Sequence, residues 1–228
     1  MAEAARRAGE ITNPVWIMAH HQAAGRGRQG KPWVTPPGNL SATYVFKPRC
    51  SAADAAKRSF LAANALYQAL ALFVEPSKLS LKWPNDMLLN GGKVAGILLE
   101  SSGAGGQVDW LSIGIGVNLA HVPQSVTNAA FAPVSVKSAG GDTVMPEDFL
   151  AKLAFAFAAQ EEKLQTHGFD RIREDWLQNA ARLGEQISAT MGQETITGTF
   201  DTIDQDGNLV LITAKGPRAI AAAEVHFH

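Results

Sequence analysis

Residues Gly25-Arg26-Gly27-Arg28-Gln29-Gly30 satisfy the G-x-G-x-x-G spacing of a phosphate-binding turn, yet prolines follow at once at positions 32, 36 and 37. A dinucleotide-binding turn must run straight into a helix whose N-terminus receives the pyrophosphate. Proline fixes φ and removes an amide donor, so that helix cannot form here and the dinucleotide-binding reading of this turn fails. A kinase-type glycine loop needs an apolar strand next, which Lys31-Pro32-Trp33 is not, and the G-x-x-x-x-G-K-[ST] pattern of a P-loop is absent. What remains is a flexible backbone bearing Arg26, Arg28 and Lys31. It is either a solvated basic loop or a segment that folds over a polyanion and offers bidentate donors to phosphate or carboxylate.

The rest of the chain reads as an α+β body followed by a strand-rich tail. Met1 to Gly9 suggests an Ala-rich helix ended by glycine, and Pro14 to Ala19 a buried strand. Asn39 to Phe46 reads as a second strand. Ser51 to Val74 reads as an amphipathic helix capped by Ser51, with Phe60, Leu66, Leu70 and Phe73 inward. A short strand spans Leu79 to Trp83. Asp86 to Leu89 and Lys93 to Glu100 flank Asn90-Gly91-Gly92, a hairpin signature because Asn-Gly supplies the positive φ of a tight primed turn. Val108 to Leu119 is a further strand in which Gly114 and Gly116 permit close approach of another group. Asp148 to Leu164 and Phe169 to Leu183 read as two helices, with Pro146 and Glu147 opening the first and Gly168 separating them. From Gly184 onward the segments are short and alternating: Gln186 to Met191, Thr195 to Ile203, Leu209 to Thr213 and Ala219 to Phe227, with a turn at Asp206-Gly207-Asn208. The expected domains are therefore 1–183 and 184–228, the second a small barrel packed on the first.

Composition narrows the function. A net charge of −1 provides no global field for nucleic acid, so basic work must be local, near residue 28. No run of about 18 apolar residues is present to span a membrane, and the single cysteine, Cys50, fits a reducing compartment; a cytoplasmic protein is expected. Cys50, at a strand-to-helix connection, reads as structural rather than nucleophilic. His20 and His21 face opposite ways on a strand end, and His226 and His228 share a face without a third ligand, so neither pair reads as a metal site.

Two features raise the basic loop above a solvated one. Trp33 directly after it offers a flat face for an adenine or an anchor for the loop. Lys82-Trp83-Pro84-Asn85-Asp86 brings a cation, a rigid turn and a carboxylate together, and Lys93 then heads an otherwise apolar strand, Val94-Ala95-Gly96-Ile97-Leu98-Leu99-Glu100.

Five blocks in order, Gln22 to Trp33, Pro37-Gly38-Asn39-Leu40, Lys82 to Asp86, Lys93 to Glu100 and Gly114-Ile115-Gly116-Val117-Asn118, resemble biotin protein ligases. The resemblance implies an α+β catalytic domain with a mixed sheet, of the biotin/lipoate ligase type, and a C-terminal SH3-like β-barrel. It also implies an ATP-dependent enzyme that forms biotinyl-5'-AMP and transfers biotin to a lysine of a biotin carboxyl carrier protein, such as that of acetyl-CoA carboxylase. By motif, Lys93 and Arg28 are the expected catalytic residues. Gln22, Arg26, Gly27, Arg28, Lys93 and Gly96 are the expected binders of biotin and its adenylate. Trp33, Asn85, Asp86 and Asn118 are expected on the ATP side, with Asp86 a magnesium partner.

The chemistry is consistent with that assignment. Joining a carboxylate to an α-phosphate brings two anions together and demands fixed cations and Mg2+. The resulting mixed anhydride is hydrolytically fragile and calls for a loop that excludes water.

The sequence departs from the family in one respect. The Ser-Thr segment that holds biotin's ureido ring is missing, and Met1 to Ala5 resemble the residues after it. The expectation is a chain that starts inside that motif and lacks an N-terminal strand. A biotin- or nucleotide-binding module of impaired catalysis and a lipoate ligase are the alternatives. Without a preceding helix-turn-helix segment, DNA binding is not expected, and a homodimer is compatible with the family.

Overall fold

A computed structural model of the protein describes residues 1–123 and 131–227. After a short helix α1 (Ala2–Arg7), six strands form one sheet: β1 (Val15–Met18), β2 (Leu40–Phe46), β3 (Leu79–Lys82), β4 (Asp86–Leu89), β5 (Gly92–Ala104) and β6 (Gln107–Val117), in the order β1-β2-β6-β5-β4-β3. All five strand pairings are antiparallel. The parallel component of this sheet is confined to isolated bridges, Leu81 to Ala180 and Lys93 to Pro133.

Alternation along the central strands builds two unlike faces, because successive side chains point oppositely and registered partners share a face. Ala42, Ile115 and Ile97 are in register on one side, as are Tyr44, Ile113 and Leu99. Helix α2 (Ala52–Leu70) packs there, burying Leu61, Leu66 and Leu70, each such side chain contributing about 1.5–3 kcal/mol. On the opposite side the registered sets are Ser41, Gly116 and Gly96, and Thr43, Gly114 and Leu98. This second face is nearly bare of bulk, and it becomes the floor of the cavity described below.

Ser51 caps α2 as expected, its hydroxyl accepting from the Asp54 amide at 3.1 Å. The helix stops at Leu70 rather than Val74, where the amides of Leu72 and Phe73 bond back three residues, to the carbonyls of Ala69 and Leu70, and tighten the last turn. The two expected later helices form one helical stretch, α3 (Pro146–Gln178), interrupted at Gly168, whose φ of 73° is left-handed. Its second half ends at Gln178 instead of Leu183.

The tail forms a second antiparallel sheet of β7 (Gln186–Met191), β8 (Glu194–Ile203), β9 (Leu209–Thr213), β10 (Gly216–Ile220) and β11 (Glu224–Phe227), ordered β10-β9-β8-β7-β11. The single strand expected over Ala219 to Phe227 is two: Gly216–Ile220 pairs with β9, and Glu224–Phe227 crosses over to pair with β7. Among the described residues no ladder joins β10 to β11, so hydrogen bonding does not close this sheet into a barrel. Trp83 Nε1 donates to Gly207 O at 3.1 Å and Arg173 Nη1 to Ile203 O at 2.8 Å, tying the tail to the first sheet and to α3. No helix among the described residues is long and apolar enough to cross a membrane.

Candidate active site

A cavity of about 650 Å³ stands over the bare face of the central sheet. Its floor is Ser41 and Thr43 of β2, Gly96 and Leu98 of β5, and Gly114 and Gly116 of β6. The basic loop roofs it, the segment Lys82 to Asp86 with Lys93 forms one wall, and Phe131, Pro133, Ala223 and Glu224 close the side toward the second sheet. The α-amino group of Met1 donates to Thr43 Oγ1 at 3.0 Å, and the Met1 side chain rests against Gly114.

The roof is a small closed loop. Gly27 N donates to Lys31 O at 2.7 Å and Trp33 N to Gly25 O at 2.9 Å, around a single 3-10 turn over Arg28–Gly30. A side chain at Gly25 would collide with the Trp33 carbonyl and the Gln22 amide, so this crossing of the two limbs requires glycine. Trp33 lays its indole on Gly116, where a methyl group would sit inside the ring, and its edge lies 3.5 Å from where one would stand on Gly96. Trp33 thereby anchors the loop to the sheet.

The wall concentrates charge. Lys93 Nζ lies 2.6 Å from Asp86 Oδ1 and 5.6 Å from the centre of the Trp33 ring. Its backbone is held on both sides: opposite Leu88 in β4, next to a β-bulge, and against residues 132–134, with Lys93 N donating to Ala132 O and Val134 N to Lys93 O. A β-bulge beside a functional site commonly re-aims a side chain, and here it accompanies a lysine turned into a cavity.

The other oxygen of Asp86 faces Lys82 Nζ at 3.7 Å. Lys82 is only 6% exposed, with its ammonium 4.9 Å from the Phe131 ring. Burial pushes its pKa down; Asp86 opposes that shift and Lys93 reinforces it.

Arg28 comes down from the roof and donates from Nη1 to Asn85 Oδ1 at 3.4 Å. Burial lowers its pKa against the attraction of Asp86 and Glu224, but a guanidinium stays charged. Three cations thus converge around one carboxylate in a partly dry pocket. That arrangement is suited to an anion carrying more charge than Asp86 alone.

All ten residues expected from the sequence, Gln22, Arg26, Gly27, Arg28, Trp33, Asn85, Asp86, Lys93, Gly96 and Asn118, line this one cavity. Their side chains are not equally available. The Arg26 guanidinium is engaged with Glu100 at 2.7 Å, so the loop backbone is what it brings over the floor. The Asn118 amide donates to Val134 O at 3.1 Å and accepts from Asn39 Nδ2 at 3.4 Å, so it holds two connections together. Asn85 clamps β5 through Ile97 while receiving Arg28.

Lys82 belongs to the Lys82–Asp86 block but is not among the site residues the resemblance implies. The signal was there, since alternation in Leu79–Lys82 puts it opposite buried Leu81. Glu100 and Glu224 were also overlooked, and nothing local marks either one.

Among the described residues no group of three His, Cys, Asp or Glu side chains could hold a metal ion. His20, largely exposed, lies 3.5 Å from Glu147, and His228 falls outside the described residues. Both oxygens of Asp86 face lysines. One carboxylate of this kind does not make a magnesium cage, but it is a sufficient protein ligand for an ion that arrives on phosphate oxygens.

Comparison with known proteins shows which family the chain resembles. Residues 2–118 match the biotin/lipoate A/B protein ligase family, and residues 183–227 match the biotin protein ligase C-terminal domain. The chain is 50% identical to a biotin–[acetyl-CoA-carboxylase] ligase of Paracoccus denitrificans, over 99% of its own length and 95% of the relative's. It is 28% identical to the bifunctional ligase/repressor BirA of Bacillus subtilis over 92% of its length, spanning 65% of that protein. The biotin protein ligase from Aquifex aeolicus in complex with biotin and ATP superposes with a TM-score of 0.79 at 22% identity, covering 97% of this chain and 92% of that one.

Proposed function

This chain belongs to the biotin/lipoate A/B protein ligase family, and from that premise we propose that its cavity joins biotin to ATP and hands the product to a carrier lysine. The activity is that of an ATP-dependent ligase. A biotin carboxylate oxygen attacks the α-phosphorus of ATP, pyrophosphate leaves, and biotinyl-5'-AMP remains. The ε-amino group of a lysine on a biotin carboxyl carrier protein then attacks the acyl carbon, AMP departs, and the amine loses a proton as the amide forms.

The observation that carries this reading is the convergence of Lys93 and Lys82 on Asp86, and of Arg28 on the adjacent Asn85, at one wall of an otherwise small-residue pocket. Two anions must meet there. Lys93 is the residue that bridges carboxylate and α-phosphate, on the scale of about 3–4 kcal/mol of transition-state stabilisation for a single well-placed donor. Arg28 neutralises the developing charge from above. Lys82, buried beside Asp86, supports the phosphate side. The small-residue floor around Ser41, Thr43 and Gly96, between Trp33 and Met1, accepts biotin and its adenylate, with Gln22 and the Gly27 backbone along its edge. Trp33, Asn85, Asp86 and Asn118 frame the nucleotide side.

Asp86 would hold a magnesium ion borne on the nucleotide's phosphates, and that ion would supply charge neutralisation there. The closed loop keeps water from the anhydride until the carrier arrives.

Residues 1–183 are read as the catalytic domain and 184–228 as an SH3-like barrel, supported by the five short antiparallel strands of the tail and the match of residues 183–227. The test is direct. Incubation with labelled biotin, ATP, Mg2+ and a biotin carboxyl carrier domain should move label onto the carrier; binding of biotin without transfer would reduce the protein to a binding module.

A further inference from the structure

The two limbs of the basic loop end on carboxylates that belong neither to the loop nor to the lysine cluster. On the first limb Arg26 donates to Glu100 Oε1 from Nε at 3.0 Å and from Nη2 at 2.7 Å, across 74 residues of chain. On the second, Lys31 Nζ meets Glu224 Oε1 at 2.8 Å, across 193 residues. Glu100 is on β5 of the first sheet and Glu224 on β11 of the second, so the loop is tied to both bodies of the molecule at once. Between the two ties lies Arg28, whose electrostatic partners are Asp86 and Glu224. The Lys31 hydrogen bond also holds the Glu224 carboxyl below the ordinary carboxylate range.

We propose that Glu100 and Glu224 are positioning residues for the reaction, latching the loop down over the cavity through Arg26 and Lys31 so that Arg28 alone of its cations is presented to the bound anions. The proposal rests on the cavity being the adenylation site. Both latches are substantially exposed, so each shifts the open–closed balance by no more than about fivefold, and the two together by about twenty-fivefold if independent. A closure this shallow is decided by an anion arriving under Arg28, and it is released again once that anion leaves. Because one latch is on the second sheet, the loop closes fully only when that sheet is seated against the first.

Amide hydrogen exchange on the unliganded protein tests this without requiring turnover. The amides of Gly27 and Trp33 report the loop, since they are bonded to Lys31 O and Gly25 O, and residues 108–117 report the sheet. Glu100→Gln and Glu224→Gln should each speed exchange in residues 25–33 two- to fivefold and leave residues 108–117 unchanged. The double swap Lys31→Glu with Glu224→Lys should return the loop to within twofold of the parent. Unchanged exchange in the single variants, acceleration spread equally into residues 108–117, or a swap as fast as Glu224→Gln would each overturn the latches. A parent protein that shows this exchange pattern but does not biotinylate a carrier supports the latches and removes the adenylation reading instead.

Discussion

Gly96 and Gly116 stand opposite one another on β5 and β6, and the indole of Trp33 occupies the slot their missing side chains leave. The loop therefore docks on the sheet by filling a gap in backbone rather than by adding a contact to its surface. Gly116→Ala should expel the ring. We expect at least a tenfold loss in the rate of biotinyl-adenylate formation and about 1–3 kcal/mol of overpacking strain in urea unfolding. Activity within twofold of the parent would show that the slot is not used in turnover.

Lys93→Ala should abolish adenylate synthesis, lowering kcat by about a hundred- to a thousandfold, as the loss of one donor to a developing oxyanion does. Arg28→Gly should do something different: synthesis persists, but the intermediate escapes into solution before transfer. Pyrophosphate release measured beside carrier labelling separates the two, and normal turnover in Lys93→Ala would defeat the first assignment.

Lys82 is held at a cost to folding. Its folded pKa is depressed chiefly by burial, so between that value and the ordinary lysine value the unfolded chain binds more protons than the folded one. Stability should then rise with pH through that alkaline window, a trend opposite to that of a lysine stabilised by its partner. Lys82→Met should flatten this rise, leave the melting temperature unchanged or higher near neutrality, and reduce ligase activity. A parallel pH profile in the variant would show that another group is responsible.

Arg58 and Glu161 form an ion pair, side chains 11% and 16% exposed, that joins α2 to α3 on the side of the sheet away from the cavity. Glu161→Ala leaves the guanidinium buried without a carboxylate partner, beside the Cys50 sulfur, the Asp54 carbonyl and the Phe46 ring. The expected loss is about 3–5 kcal/mol in denaturant unfolding, without a change in KM for biotin or ATP. A change in KM at unchanged stability would mean the helices report directly to the site.

Much of this was legible in the sequence wherever a single residue type is obligatory. Asn90-Gly91 demanded a tight turn, and both residues adopt positive φ, 50° and 76°. Gly168 was read as a break between helices and is one. That the ten site residues share one cavity was legible only through the resemblance of the five motif blocks to biotin protein ligases, since turn chemistry and strand alternation alone do not gather residues so far apart in the chain.

What stayed hidden is what distant pairing decides. Nothing in Ala221-Ala222-Ala223 announces that the last strand leaves β9 for β7, since alanine is tolerated equally in strand and turn. Glu100 and Glu224 look like ordinary surface acids, and only the folded loop supplies their partners. The destinations of Arg26 and Asn118 were likewise invisible, because motif position fixes where a backbone lies and not which neighbour takes the side chain.

The hairpin of β5 and β6 continues past the cavity to a tip at Gly105-Gly106, both with left-handed φ, where residues 101–107 are all exposed. Its two ends have opposite duties: one must admit almost no atoms, while the other touches little but water. An inserted epitope or a reporter peptide at that tip would travel with the same two strands that carry the reaction, making it a handle for watching the enzyme without entering its chamber.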